Sequence, residues 1–219
     1  VDSVGGAFET AGRQKITPPD PEVPQDTEAA AFFDVDNTLI QGSSLILLAQ
    51  GLFKKRFITL SELAPALRKQ IRYRVSGSEN ADDIAEGREQ ALAIVKGKSV
   101  EELKQACREI VDNRMLQKSY ADTIELASMH LAAGQQVWLV SATPVQIGQA
   151  LAETLGFTGA LGTVAEEEDG KFTGRLVGDI LHGPGKKHAV AALAALQQLD
   201  LSKCTAYSDS INDLPMLEM

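Results

Sequence analysis

The sequence predicts an α/β fold with a doubly wound parallel sheet. Short apolar segments alternate with longer segments whose apolar residues recur at helical spacing, as in parallel sheets connected by helices. Acidic or hydroxyl residues follow several apolar segments, which is expected where strands end at a ligand-binding crevice. At 219 residues, the chain is long enough to bury a sizeable core and to carry a modest insertion.

The amino-terminal part divides into a leader, one strand and a helical segment. Residues 1–28 are polar, contain four prolines and have no periodic apolar face, so we expect an extended or disordered leader. A strand ending at Asp34 follows. Residues 43–117 then predict several helices, because apolar residues recur at helical spacing. Examples of these apolar positions are Leu45, Leu48, Ala49 and Leu52, and later Ile84, Ala91, Leu92 and Val95.

The carboxyl-terminal part alternates between helices and strands. Asp169-Gly170 lies between two β-prone segments, around 161–164 and 172–176, and predicts a hairpin turn. The other elements predicted here are a helix at 119–133, a strand containing Trp138, helices at 145–155 and 186–199, and a strand at 203–207.

Composition narrows the classes of partner and compartment. The formal net charge of -9 argues against nucleic acid or an anionic membrane as the main partner. The segment from Lys54 to Arg74 is locally basic. We interpret it as a solvated helical face rather than as a surface that attracts anionic substrates or lipid headgroups. Cys107 and Cys204 fit reduced core residues, and the given residues show neither a signal-peptide pattern nor a long uninterrupted apolar segment. We therefore expect a cytoplasmic protein of unknown oligomeric state.

The segment from Ala30 to Leu39 carries the strongest chemical signal. Its apolar residues suit a buried parallel strand, and Asp34 and Asp36 follow at the strand's carboxyl end. One carboxylate could attack an electrophile while the other transfers a proton. A strand followed by a helix-capping turn explains the segment about as well on its own.

Three later segments favour a chemical site over a simple capping turn. Ser141 follows an apolar strand and could bind a phosphate oxygen, although a helix N-cap is the simpler role. Lys186 lies at a glycine-rich helix start that could hold an anion, although surface lysines are usually only solvated. Asp209 and Asp213 follow a third short strand and could bind a divalent cation such as magnesium.

Taken together, these four segments resemble the motifs of the haloacid dehalogenase-like hydrolase superfamily. The resemblance covers roughly residues 29 to the end and is closest to the phosphoserine phosphatase-like branch. It implies that Asp34 is a nucleophile that forms an aspartyl-phosphate. It also implies that Asp36 protonates the leaving alcohol and then activates water, and that Thr38 steadies the loop.

The resemblance also implies the ligands of the substrate and the cofactor. Ser141 and Lys186 would bind phosphoryl oxygens, with Lys187 as the alternative lysine, and Asn212 could touch the phosphate. The cofactor would be Mg²⁺. Its ligands would come from Asp34, the main-chain carbonyl of Asp36, Asp209 and, through the outer shell, Asp213.

The resemblance further implies a helical cap over the site. The cap would be residues 43–117 and the Rossmann-like core residues 29–42 and 118–219, although some of these helices could instead extend the core. Related proteins continue with another strand and helix, so we expect the core to extend beyond Met219.

The implied function is a Mg²⁺-dependent phosphatase acting on small phosphomonoesters. Phosphoserine phosphatases carry a glutamate nine residues after the nucleophile, where this chain has Ser43. The cap arginine of that family aligns with Ala91, and Arg88 lies one helical turn away. The substrate therefore stays open. The alternatives are a phosphorylated lipid fragment such as lysophosphatidate or glycerol phosphate, a phosphotransferase, and a non-catalytic binding module.

Overall fold

Four parallel strands form the central sheet, in the spatial order third, second, first and sixth along the chain. The computed structural model describes residues 26–59, 62, 89–178 and 180–219. A separate antiparallel pair consists of the fourth and fifth strands. The strands are β1 (Ala30–Asp34), β2 (Gln136–Pro144), β3 (Gly159–Thr163), β4 (Ala165–Glu168), β5 (Lys171–Leu176) and β6 (Thr205–Tyr207).

Helices connect the strands, as the sequence predicts for an α/β fold. They are α1 (Ser44–Lys54), α2 (Val100–Ile110), α3 (Ala121–Ala132), α4 (Val145–Leu155), α5 (Pro184–Gln197) and the short α6 (Leu214–Leu217). Residues 89–95 are also helical. The observed α4 has the bounds that the sequence predicts, while α3 and α5 differ from their predicted bounds by one to two residues at each end.

The two faces of β1 pack into different apolar clusters, which confirms the doubly wound arrangement. All five residues of β1 are buried, as expected for the middle of a parallel sheet. Ala31 and Phe33 belong to the larger cluster, which also holds buried residues of α1, α2, α3 and α4. Ala30 and Phe32 face the smaller cluster, which contains residues of α5 and α6.

Helices α1 and α2 pack directly on the α/β core. Leu48 of α1 and Ile110 of α2 lie in the same apolar cluster as Phe33. Gly51 of α1 lies against the side chain of Ile110 so closely that a Cβ atom would overlap it. The division into a cap at 43–117 and a core formed by the remaining residues from 29 onward stays a prediction.

The predicted hairpin turn is confirmed, but the predicted position of its first strand is wrong. Asp169 and Gly170 both have positive φ angles, of 49° and 73°, as a tight hairpin turn between twisted strands requires. The strand that pairs with β5 is β4, whereas residues 159–163 form β3 and join β2 in the main sheet. Three consecutive glutamates in residues 166–168 concealed β4 at the sequence level, because acidic residues are depleted in strands.

Several sequence predictions fall outside the described residues. These are most of the leader at 1–28, the apolar position Ile84, the basic residues Arg68, Lys69, Arg72 and Arg74, and Arg88. Within the part of the chain that the structure describes, no helix is both long and apolar enough to cross a membrane.

Candidate active site

Asp34 ends β1 at the sheet edge where the candidate site lies. It is hydrogen-bonded into the sheet opposite Val140 of β2 and is buried. The chain then turns tightly, and the amides of Leu39 and Ile40 both donate to the carbonyl of Val35. Asn37 adopts a left-handed conformation with a φ of 56°, which asparagine tolerates better than most residues. This turn sets the Thr38 hydroxyl beside the carboxylate of Asp34.

Lys186 joins two buried carboxylates that are far apart in sequence. Its ammonium group lies 2.5 Å from Oδ1 of Asp34 and 2.7 Å from Oδ2 of Asp213. Lys186 belongs to the first turn of α5, which begins after Gly183 and has Pro184 at its start. All three side chains are nearly excluded from solvent. Two carboxylates and one ammonium group leave this buried cluster with a formal charge of -1.

This environment perturbs the ionisation of Asp34. Burial raises the pKa of the Asp34 carboxyl above its ordinary value of 3.8, and the Asp213 charge adds to this effect. The charge and hydrogen bond of Lys186 act in the opposite direction and offset part of the shift. A further positive charge near Asp34 would favour its ionised form.

Thr38 connects Asp34 to Asp209. Its hydroxyl lies 3.3 Å from Oδ2 of Asp34 and 3.4 Å from Oδ1 of Asp209, and it accepts a hydrogen bond from the Asp209 amide at 3.0 Å. The Thr38 carbonyl accepts a hydrogen bond from the side chain of Thr123 in α3. The loop that follows β1 is therefore fixed both to α3 and to the loop that follows β6.

Asp36 points to a different partner. Its Oδ1 accepts hydrogen bonds from both the amide and the hydroxyl of Ser44, the first residue of α1. Ser44 is 1% exposed, whereas Asp36 is half-buried. The sequence placed Asp36 in the site but gave Ser44 no role. The only local signal is that Ser44 follows the helix-capping Ser43, where a free amide is expected.

The remaining predicted phosphate ligands lie near this cluster but do not join its hydrogen bonds. Ser141 is buried and follows Val140, the sheet partner of Asp34, and its hydroxyl hydrogen-bonds to that of Thr143 at 2.9 Å. Asn212 is exposed, and its main-chain N–H donates a hydrogen bond to the Ser210 hydroxyl. Lys187, the alternative lysine, is exposed while Lys186 is buried, so the geometry favours Lys186.

Sequence reasoning also missed the role of Ser208. Its hydroxyl donates to Oδ2 of Asp213 at 2.7 Å and accepts a hydrogen bond from the amide of Ser210. Oδ2 of Asp213 therefore receives hydrogen bonds from both Ser208 and Lys186. The available sequence signal is a hydroxyl residue directly after β6.

The donor set of the site fits a hard divalent cation. Among the described residues, no three His, Cys, Asp or Glu side chains converge closely enough to hold a metal ion by themselves. Oδ2 of Asp34 and Oδ1 of Asp209 nevertheless approach the same Thr38 hydroxyl. Magnesium usually uses one or two carboxylates and completes its shell with water and phosphate oxygens, so two such acids suffice.

The chain belongs to the haloacid dehalogenase-like hydrolase family. The family profile matches residues 31–218, which include β1 and the loops that follow β1, β2 and β6. Over 200 residues, the chain is 52% identical to a Mycobacterium tuberculosis protein named phosphoserine phosphatase SerB1. That alignment covers 91% of this chain but only 65% of the relative, so the chain spans less than two thirds of the relative's length.

Solved structures share the same fold. A protein of unknown function from Bordetella pertussis superposes with a TM-score of 0.74 at 27% identity, covering 87% of this chain and 86% of that one. A structure described as a phospho-aspartyl intermediate analogue of phosphoserine phosphatase superposes with a TM-score of 0.55 at 20% identity. It covers 85% of this chain and 80% of the other, and at this identity the match establishes the fold alone.

Proposed function

We propose that this protein is a Mg²⁺-dependent phosphatase that hydrolyses phosphomonoesters through an aspartyl-phosphate on Asp34. The observation that carries the proposal is the buried contact of Lys186 with Asp34 and Asp213 at the end of β1. A buried nucleophilic carboxylate beside a fixed cation suits attack on a phosphate group, because the cation offsets the repulsion between the two anions.

The proposed reaction has two steps. A carboxylate oxygen of Asp34 attacks phosphorus, and the bond from phosphorus to the substrate oxygen breaks. The departing oxygen takes a proton from Asp36 and leaves as an alcohol. Asp36, now ionised, takes a proton from a water molecule, which attacks the phosphorus of the aspartyl-phosphate. Inorganic phosphate leaves, and the carboxylate of Asp34 is restored.

Other residues of the site are assigned to phosphate and metal binding. Lys186 and Ser141 would bind phosphoryl oxygens, and Asn212 would contact the phosphate from the protein surface. Mg²⁺ would be held by Asp34, Asp209 and the main-chain carbonyl of Asp36, with Asp213 in its outer shell. When bound, this ion would neutralise charge that develops on the phosphoryl oxygens.

Phosphoserine is the first candidate substrate, since it is the substrate in the name of the 52% identical relative. A second candidate class is phosphate esters with an apolar or uncharged group, such as lysophosphatidate or glycerol phosphate. This class is favoured by Leu45 and Ile46, which are 53% and 45% exposed and directly follow Ser44, the partner of Asp36. Ser43, at the start of the same helix, has no carboxylate that could pair with the ammonium group of phosphoserine. Residues 43–117 would contain the cap that selects between these substrates.

The test is phosphate release from a panel of monoesters, with and without Mg²⁺. The panel contains phosphoserine, phosphocholine, glycerol phosphate and lysophosphatidate, and the Asp34→Asn variant is the blank. We expect metal-dependent release that disappears in the variant. If the folded protein releases phosphate from none of these esters, the proposal fails and a binding module on this fold becomes the better explanation. Added alcohols that accept the phosphoryl group would instead identify a phosphotransferase.

A further inference from the structure

Asp36 is held at the amino-terminal end of α1 by one residue. Both the amide and the hydroxyl of Ser44 donate to the same oxygen, Oδ1 of Asp36, with the amide at 2.9 Å. The helix has 11 residues, and Ser43 is its N-cap. The first amides of a helix have no partner within the helix, and its amino-terminal end carries a partial positive charge. Asp36 supplies the missing acceptor for the first of these amides.

The two oxygens of the Asp36 carboxylate are therefore not equivalent. Oδ1 receives two hydrogen bonds from a residue that is 1% exposed, so rotation of the carboxylate about its Cβ–Cγ bond would break both. Among the described residues, no hydrogen bond reaches Oδ2 of Asp36. A carboxyl oxygen that already accepts two donors is a poor place for a proton, which leaves Oδ2 as the oxygen that can carry one.

The neighbouring serine has a different task. The hydroxyl of Ser43 accepts a hydrogen bond from the amide of Ile46 at 3.5 Å, which is an ordinary helix cap. Within the described part of the chain, no hydrogen bond joins this hydroxyl to Asp36. Ser43 and Ser44 thus provide two adjacent hydroxyls at one helix start, of which only the second donates a hydrogen bond to Asp36. A substitution at Ser43 removes the helix cap, whereas a substitution at Ser44 removes the hydroxyl that donates a hydrogen bond to Asp36.

We propose that Ser44 is a positioning residue that orients Asp36 for proton transfer, with Oδ1 anchored on α1 and Oδ2 carrying the proton. The inference rests on the proposed phosphatase function. In the first step the proton on Oδ2 moves to the departing substrate oxygen, and the electron pair of the broken P–O bond stays on that oxygen. In the second step Oδ2 takes one proton from the attacking water. Without the Ser44 hydroxyl, the carboxylate samples orientations in which Oδ2 does not face the reacting oxygen.

The test compares leaving groups that do and do not need this proton. An alkyl alkoxide is a poor leaving group and depends on protonation, whereas p-nitrophenolate leaves without it. The ratio kcat/KM covers only the steps up to departure of the alcohol, so slow hydrolysis of the aspartyl-phosphate does not mask the effect. The substrates are p-nitrophenyl phosphate and the alkyl phosphate that the wild-type protein hydrolyses fastest, and the variants are Ser44→Ala and the matched control Ser43→Ala.

We expect Ser44→Ala to lower kcat/KM for the alkyl phosphate about tenfold and for p-nitrophenyl phosphate less than about threefold, because complete acid–base catalysis contributes about 10²–10⁴-fold. Ser43→Ala should change the ratio of the two values by less than about twofold. Thermal melting of both variants checks that each is folded. In the background of Asp36→Asn, Ser44→Ala should cause no further loss on the alkyl ester.

Equal losses on both esters would assign Ser44 a purely structural role, and no loss on the alkyl ester would show that the Ser44 hydroxyl does not orient Asp36, since Ser44→Ala keeps only the amide contact. Either result overturns the inference while leaving the phosphatase function in place. If wild-type protein with Mg²⁺ hydrolyses neither ester, the proposed function itself fails, and the inference fails with it.

Discussion

The ammonium group of Lys186 lies 2.5 Å from Oδ1 of Asp34, although 152 positions separate the two residues in the chain. Asp213 approaches the same ammonium group at 2.7 Å, so one cation serves two buried carboxylates. A buried charge without a compensating partner is costly, and the cluster has one carboxylate in excess. A second cation would balance this excess negative charge. In a phosphatase of this kind, Mg²⁺ would be that cation.

The Asp34→Asn variant should have no detectable turnover while keeping its fold. The two side chains are nearly the same size, but an amide is a poor nucleophile and cannot form the acyl phosphate. Phosphate release with Mg²⁺ measures turnover, and circular dichroism with thermal melting measures folding. Mg²⁺-dependent turnover by this variant at a rate comparable to wild type would rule out the covalent mechanism.

Lys186→Ala should weaken phosphate binding far more than Lys187→Ala. The first variant leaves Asp34 and Asp213 buried together without their shared cation, and removal of one partner from a buried ion pair typically costs about 3–5 kcal/mol of stability. Lys187 is exposed, so its variant should change the free energy of unfolding by less than about 0.5 kcal/mol. Inhibition by inorganic phosphate and chemical denaturation measure the two effects. The reverse ranking would show that Lys187 is the phosphate ligand.

Most of the sheet and its main helices could be predicted from the sequence because their signals are local. The apolar segment before Asp34 predicts a strand buried on both faces, and β1 is one. Helix α4 is bounded by Pro144 at its start and by Gly156, with a φ of 71°, at its end, so both ends are marked in the sequence. By contrast, β4 is acidic and becomes a strand only because the turn at Asp169 and Gly170 pairs it with β5.

The candidate site was predicted less completely because its contacts connect distant loops. Resemblance to a family identified Asp34, Lys186 and Asp213 as site residues, but their direct contact depends on how α5 and the loop after β6 meet β1. The contact of Ser44 with Asp36 is closer in sequence, yet it depends on how α1 is oriented after a tight turn. The orientation of α1 cannot be predicted from residue spacing, because it depends on a turn in which Asn37 adopts a left-handed conformation.

The stability of the metal-free protein should depend on pH through Asp34. Because burial raises the pKa of Asp34 above 3.8, the folded state binds more protons than the unfolded state between 3.8 and the raised pKa. In that window, ionisation of Asp34 lowers the free energy of unfolding as pH rises. The Asp34→Asn variant lacks this titration. The melting temperature of the variant minus that of wild type should therefore increase as pH rises from 4 towards 7. The measurement is thermal melting in EDTA across this range.

A constant difference in melting temperature across the range would show that the pKa of Asp34 is not raised in the folded protein. The same constant difference is expected if the Lys186 contact outweighs burial, because a lowered pKa of Asp34 changes the stability only below pH 3.8. Repeating the series with Mg²⁺ supplies an internal comparison. A cation bound beside Asp34 favours the ionised carboxylate and should reduce the advantage of the variant.

The two cysteine thiols should react at very different rates. Cys107 in α2 has no solvent exposure, and burial raises the pKa of its thiol to about 12. Cys204 is half-buried just before β6, and its thiol donates to the carbonyl of Asp200 at 3.3 Å. The thiolate is the reactive species, so the native protein should show one reacting thiol at pH 8 with a disulfide-exchange reagent, and the denatured protein two. The variant Cys204→Ser should remove the native reaction, whereas Cys107→Ser should leave it unchanged. Fast labelling of Cys107 in the native protein would contradict the packing of α2 on the sheet, because access to that thiol requires α2 to separate from the apolar cluster.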